Sequence, residues 1–225
     1  MQLAMRIDTR RRVGSSRRVG AVALGIALLG ACAPHARPLV GAPTPQVRLP
    51  SPALAPGARR IVFKWEYKEQ DGFSAHGEGV ARVVAPDSAR MDFVLEGGFG
   101  GGWALLLGDQ LLIPGPDIIR RLIPPAPLLW ATLGRLDVPV ARDTTARTSG
   151  DTLRADIGTD PTWRVTYVGP RLTRVERIDG GRIQEWITRD DTVLRYQHET
   201  GRRSLTLRVE RTEEVSGFDP SIWRR

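Results

Sequence analysis

Short runs of alternating apolar and polar residues, separated by closely spaced turn signals, constrain this chain more than any other feature. Ile61, Phe63, Trp65 and Tyr67 alternate with Val62, Lys64, Glu66 and Lys68. Ala89, Met91, Phe93 and Leu95 alternate with Arg90, Asp92, Val94 and Glu96. Trp163, Val165 and Tyr167, and later Leu205, Leu207 and Val209, repeat the pattern. A period of two puts successive side chains on opposite faces, so each run reads as a strand with one buried face. Turn residues stand between the runs: Gly72, Pro86-Asp87, Gly108-Asp109, Gly150-Asp151, Gly169-Pro170, Gly180-Gly181, Asp190-Asp191 and Gly201. Strands joined this way form an antiparallel meander. A one-faced sheet of about ten strands twists and curls, and a curled sheet encloses an apolar hollow. Within residues 172–178 the apolar positions fall every third residue, which a β-bulge reconciles with a strand.

Residues 116–134 break the alternation. Residues 117–123 read as a short helix stopped by Pro124-Pro125. Residues 127–133 read as a second helix, with proline in its first turn and Gly134 after its end. Both are more apolar than a surface helix requires, which predicts that they pack on the sheet. The expected fold is mainly β: a curved antiparallel sheet forming an open half-barrel, with short helices as lid or plug.

The first 31 residues are of another kind. They carry six arginines and one aspartate, followed by an apolar run over residues 19–29. A charged segment before a short apolar run is the layout of an export signal. The run is too short to span a bilayer, which takes roughly 20 apolar residues. It ends in Leu29-Gly30-Ala31-Cys32, which resembles the lipobox of bacterial lipoproteins. That resemblance implies cleavage before Cys32, attachment of lipid to its thiol with acyl chains of the palmitate kind, and a membrane as partner. Ala33 stands where an aspartate tends to retain such proteins in the inner membrane. It implies a lipid-anchored outer-membrane location with the domain facing the periplasm. Residues 32–57 hold seven prolines and no hydrophobic period, so they read as the lipidated cysteine and an extended tether. The folded domain is then 58–225, after a signal peptide of 1–31 whose start is Met1 or Met5.

The formal charge of +8 is concentrated in the leader. Beyond residue 31 there are 27 basic and 24 acidic residues, a net +3. A nucleic-acid surface would persist after processing, so no nucleic-acid partner is expected. One cysteine permits no intrachain disulfide, and a monomer is expected.

Gly77-Glu-Gly-Val-Ala-Arg-Val-Val-Ala-Pro-Asp-Ser-Ala-Arg-Met-Asp92 resembles the second and third strands of the LolA/LolB-like lipoprotein carriers and receptors. A further hairpin, an apolar helical insertion and a long meander follow in the same order over residues 58–220. The resemblance implies a half-barrel with a helical lid around a cavity that receives acyl chains. Candidate lining residues are Phe63, Trp65, Met91, Phe93, Trp103, Leu105 and Trp130. Phe99, within the glycine-rich residues 97–102, takes the place of the family's protruding apolar side chain and is the candidate transfer loop. Arg90 matches the family's strand-three arginine and is a candidate lid or headgroup contact. Implied partners are a lipid or acylated protein and a periplasmic lipoprotein carrier. No histidine has zinc-site spacing, no nucleophile elbow is present, and residues 97–102 lack the lysine of a phosphate loop. Neither an enzyme nor a cofactor is expected. Two alternatives stand beside the lipid-binding reading: a structural or interaction lipoprotein of the envelope without ligand, and a periplasmic hydrolase.

Overall fold

The computed structural model describes residues 33–44, 49–50, 53–97, 100–115, 117–138 and 141–224. The expected signal peptide (residues 1–31), Cys32 and Phe99 lie outside the described residues. The strands are β1 (Ala42–Pro43), β2 (Ala58–Glu69), β3 (Ser74–Val84), β4 (Ser88–Leu95), β5 (Gly101–Leu107) and β6 (Gln110–Leu112). Two helices follow, α1 (Asp117–Leu122) and α2 (Ala126–Thr132). Then come β7 (Thr144–Ser149), β8 (Thr152–Ile157), β9 (Thr162–Val168), β10 (Arg171–Asp179), β11 (Arg182–Arg189), β12 (Val193–His198) and β13 (Arg203–Val215). A 3-10 turn, Pro220–Trp223, ends the described chain.

All strands join one antiparallel sheet of 13, in the order β1-β7-β8-β9-β10-β11-β12-β13-β2-β3-β4-β5-β6. Two meanders, β2–β6 and β7–β13, are stitched together where the last strand pairs with all 12 residues of β2. The sheet does not close; its edges are the short strands β1 and β6. Short edges limit pairing with other chains. The uneven stretch at 172–178 is a strand, and its register slips between Leu172 and Arg174 on one side and between Arg177 and Ile178 on the other. Those two slips account for the period of three.

The alternation holds at the core. Phe63, Trp65, Tyr67, Met91 and Phe93 are buried on the concave face, as are Val165, Tyr167, Leu205 and Leu207. Phe63 and Phe93 meet edge to face at 5.5 Å, with Gly79 paired between them. A Cβ on Gly79 would lie 2.4 Å from the Phe63 ring, so the missing side chain is what admits the aromatics.

Part of the proline-rich segment lies on the sheet. The Pro34 carbonyl accepts from the Ile183 amide at 2.9 Å, and the Ala36 amide donates to the Gly181 carbonyl at 2.9 Å. Arg182 donates to the Ala33 carbonyl at 3.1 Å, and Arg164 to that of Arg37 at 2.5 Å. Residues 33–44 thus run from the start of β11 across the outer face to β7, where β1 pairs. Further along, Leu54 is buried in the core cluster and Leu49 packs against it, so the described residues between β1 and β2 also lie on the domain.

Candidate functional site

The helices α1 and α2 fill the concave face. Ile119 and Leu122 of α1, and Leu128, Leu129 and Trp130 of α2, are buried in the same apolar cluster as Phe63, Trp65, Met91 and Phe93. α1 packs on β5, where a Cβ on Gly102 would sit 2.7 Å from Ile119. α2 packs on β10 and β11. Its sequence makes its ends: Pro127 in the first turn, and Gly134 at positive φ after the last. The Gly134 amide returns to Ala131 and the Arg135 amide to Trp130, both at 3.1 Å, the paired closure that a C-terminal glycine permits.

A polar latch fixes this plug. Trp130 Nε1 donates to the Gly108 carbonyl at 2.8 Å. Gly108 belongs to the β5–β6 turn, so α2 rests on one arm of the sheet and is bonded to the other. Arg135 stacks over the Trp130 ring at 4.4 Å and pairs with Asp137 at 3.0 Å. Burial holds the Asp137 carboxyl above the usual range, with Arg135 acting against that shift. The Arg189 guanidinium lies against Gly134, at the end of α2 where helix dipoles favour cations. Burial lowers the Arg189 proton affinity, and Arg171 and Arg59 lower it further.

Five of the expected lining residues come together here: Phe63, Trp65, Met91, Phe93 and Trp130. Two do not. Trp103 pairs with Asp92 and Leu105 with Arg90, and both partners are at the outward phase of β4. Trp103 therefore lies on the outer face, under Arg90 at 4.4 Å. Leu105 is only 1% exposed but stands outside the inner cluster. With Leu107, Leu111 and Leu112 it lines a recess of about 320 Å³ near the β6 edge. Arg90 does not touch the helices: it bonds Asp92 at 3.0 Å and the Ile222 carbonyl at 3.1 Å, securing the C-terminal turn. The lid contacts expected of it belong instead to Arg135 and Arg189. The larger groove, about 550 Å³, is lined mostly by outward positions of β2, β3, β4 and β13, such as Lys64, Glu66, His76 and Arg208.

Sequence reasoning passed over the charged residues at the inward phase. Glu185, 2% exposed, accepts from Tyr196 Oη at 2.8 Å and Arg177 Nη1 at 3.0 Å. Burial raises the Tyr196 pKa, and Glu185 adds to the shift. Tyr167 Oη and the Nε atoms of Arg59 and Arg203 are buried without a partner. The signal was present: Glu185 and Arg189 flank Ile187 in phase, and Arg59 is in phase with Phe63. Among the described residues no group of three or more His, Cys, Asp or Glu side chains is arranged to hold a metal. Nor is any described helix long and apolar enough to cross a membrane.

The fold and the filled face define an open β half-barrel closed by an apolar helical plug. No protein-family model matches the chain, and no curated protein matches it. Solved structures do. One is a domain described as a candidate outer membrane lipoprotein-sorting protein, from Vibrio parahaemolyticus. It is 11% identical, with 74% of this chain and 89% of that one covered, at a TM-score of 0.51. Another is a LolA superfamily protein from Nitrosomonas europaea, 9% identical over 75% and 90% of the two chains, at 0.47. A DUF1329 family protein from Desulfovibrio piger is 7% identical over 75% and 90%, at 0.40. The chain shares the fold of the first of these, the domain from Vibrio parahaemolyticus.

Proposed function

We propose that this chain is the precursor of an outer-membrane lipoprotein, anchored through Cys32, whose periplasm-facing half-barrel takes an acyl chain in place of its helical plug. The observation that carries this reading is the plug itself. The concave face is filled by two short helices held by a few polar contacts, rather than by the sheet's own side chains alone. Burial of Ile119, Leu122, Leu128 and Leu129 is worth about 1.5–3 kcal/mol each, roughly 6–12 kcal/mol together. An acyl chain of some fifteen methylenes returns about 12 kcal/mol at 0.8 kcal/mol per methylene. Tyr167 Oη and Arg203 Nε supply unpaired donors at the inward phase for the polar part of an amphiphile. The neighbour from Vibrio parahaemolyticus, described as a lipoprotein-sorting domain, favours an acylated protein as cargo. Phe99 is the proposed transfer tip and a periplasmic carrier the proposed donor.

A second reading, an envelope lipoprotein with no ligand, is favoured by one observation: the concave face is already full. Native mass spectrometry with lipid extraction separates the two. The mature protein is expected to carry, or to take up from an acylated peptide, one acyl ligand per chain. A protein that stays empty in both conditions overturns the binding reading.

A further inference from the structure

The first described residues are bound to the sheet. Ala33 is 7% exposed, and residues 33–36 are bonded to the start of β11 through the Ala33 and Pro34 carbonyls and the Ala36 amide. Cys32 is one peptide from Ala33, and consecutive Cα atoms are about 3.8 Å apart. Resting on the reading that Cys32 bears lipid, the point where residues 33–36 meet the sheet is therefore held at the headgroup layer.

That point lies on one end of the sheet, the end carrying the β2–β3, β4–β5, β8–β9, β10–β11 and β12–β13 turns. Backbone hydrogen bonds run along it without a break. Ile183 bonds Pro34; the Glu199 amide bonds the Gln184 carbonyl at 2.8 Å; the Gln70 amide bonds the Arg202 carbonyl at 3.0 Å. The Glu69 amide then bonds the carbonyl of Phe73 at 2.8 Å. Phe73 is 42% exposed, a large apolar side chain left in solvent beside Tyr67. From β11 to β3 is four strand spacings, about 20 Å at 4.8 Å each.

We propose that this rim is the membrane-contacting surface of the domain: residues 33–36 pin one side of it to the bilayer, and Phe73 enters the lipid interface at the other. The rim's charges are mixed, with Asp71 and Asp179 beside Arg182 and Arg202, so apolar contact and not a basic patch sets the orientation. The same geometry turns the end of β4 and the start of β5 toward the membrane, and the β7–β8 and β9–β10 turns away from it.

The test uses the full chain processed in a bacterial host. Mass spectrometry of the mature product first establishes the acyl adduct on Cys32. The protein is then placed in vesicles of phosphatidylethanolamine and phosphatidylglycerol, with a fluorophore on Ser74→Cys or on Asp151→Cys. Nitroxide-bearing lipids are expected to quench the Ser74→Cys label several-fold more than the Asp151→Cys label. A Gly-Ser insertion between Cys32 and Ala33, long enough to span about 20 Å, should remove most of that difference. Phe73→Ser should reduce it. An acylated protein whose two labels are quenched alike, or whose difference survives both the insertion and Phe73→Ser, overturns the orientation alone. A product without acyl mass overturns the lipid reading of Cys32 and the orientation with it.

Discussion

Tyr167 and Tyr196 both point into the concave face, yet only one hydroxyl has a partner. Tyr196 donates to the buried Glu185. Tyr167 donates to nothing, and burial pushes its pKa up to about 12. Tyr167→Phe should leave stability unchanged or raise it by up to about 1 kcal/mol, because it removes an unpaired buried group. Tyr196→Phe should cost about 1–3 kcal/mol, because it strips a donor from a buried carboxylate. Urea denaturation of the two variants measures both. At Gly79 the limit is space: Gly79→Ala drives a Cβ to 2.4 Å from the Phe63 ring and 2.7 Å from the Asp92 carbonyl. A loss of about 1–3 kcal/mol is expected in the same assay. His198 is a pH-sensitive residue. Burial lowers its pKa below the ordinary 6.5, and the Arg203 charge lowers it further. The unfolded chain therefore binds the proton first, and stability falls as pH drops through 6.5. The melting temperature should decline between pH 7.5 and 5.5, and His198→Gln should lessen the decline. The phase of Phe63, Trp65, Met91 and Phe93 was legible because polar residues alternate with them. Trp103 and Leu105 lie in Gly-Gly-Trp-Ala-Leu-Leu-Leu, where no polar residue marks a phase; only pairing with β4 assigns their face.

At the scale of elements, α2 is a plug latched to the far arm of the sheet at the Gly108 carbonyl, which accepts from Trp130 at 2.8 Å and from Arg135, just past the helix, at 3.4 Å. Trp130→Phe keeps an aromatic ring but removes the bond to the Gly108 carbonyl. It should weaken the closed state by about 1–3 kcal/mol and increase binding of an acylated peptide, read by titration calorimetry. Tighter packing without any gain in binding would count against the latch. The helices were legible from Pro127, Gly134 and their apolar composition. The latch was not, since its acceptor is a backbone carbonyl in a distant turn. The docking of residues 33–44 was hidden for the same reason. Its bonds run largely through backbone atoms of Pro34, Ala36, Gly181 and Ile183, which leave no side-chain pattern, and prolines read as an extended spacer whether free or bound. The long β13–β2 ladder also escaped sequence reasoning, because pairing of the last strand with β2 spans most of the domain.

For the whole molecule, a sheet of 13 strands that stays open leaves a concave face needing cover. Here the cover is a separate, short, apolar element, and that division between the sheet and its helical filling is the basis of the proposed function. Cys32→Ser should release the protein from the membrane fraction without changing its melting temperature, as judged by fractionation and thermal denaturation. The fold places the plug between two arms that are tied together by the β13–β2 ladder, so ligand entry need not disturb the sheet. Hydrogen exchange on the mature protein, with and without an acylated peptide, tests this most directly. The amides of α1 and α2 should exchange faster than those of β2 and β13, and saturation with peptide should change exchange in the helices while leaving the ladder as it was. Helices as protected as β2 and β13, and unmoved by the peptide, would contradict a displaceable plug and leave a half-barrel permanently filled by its own chain.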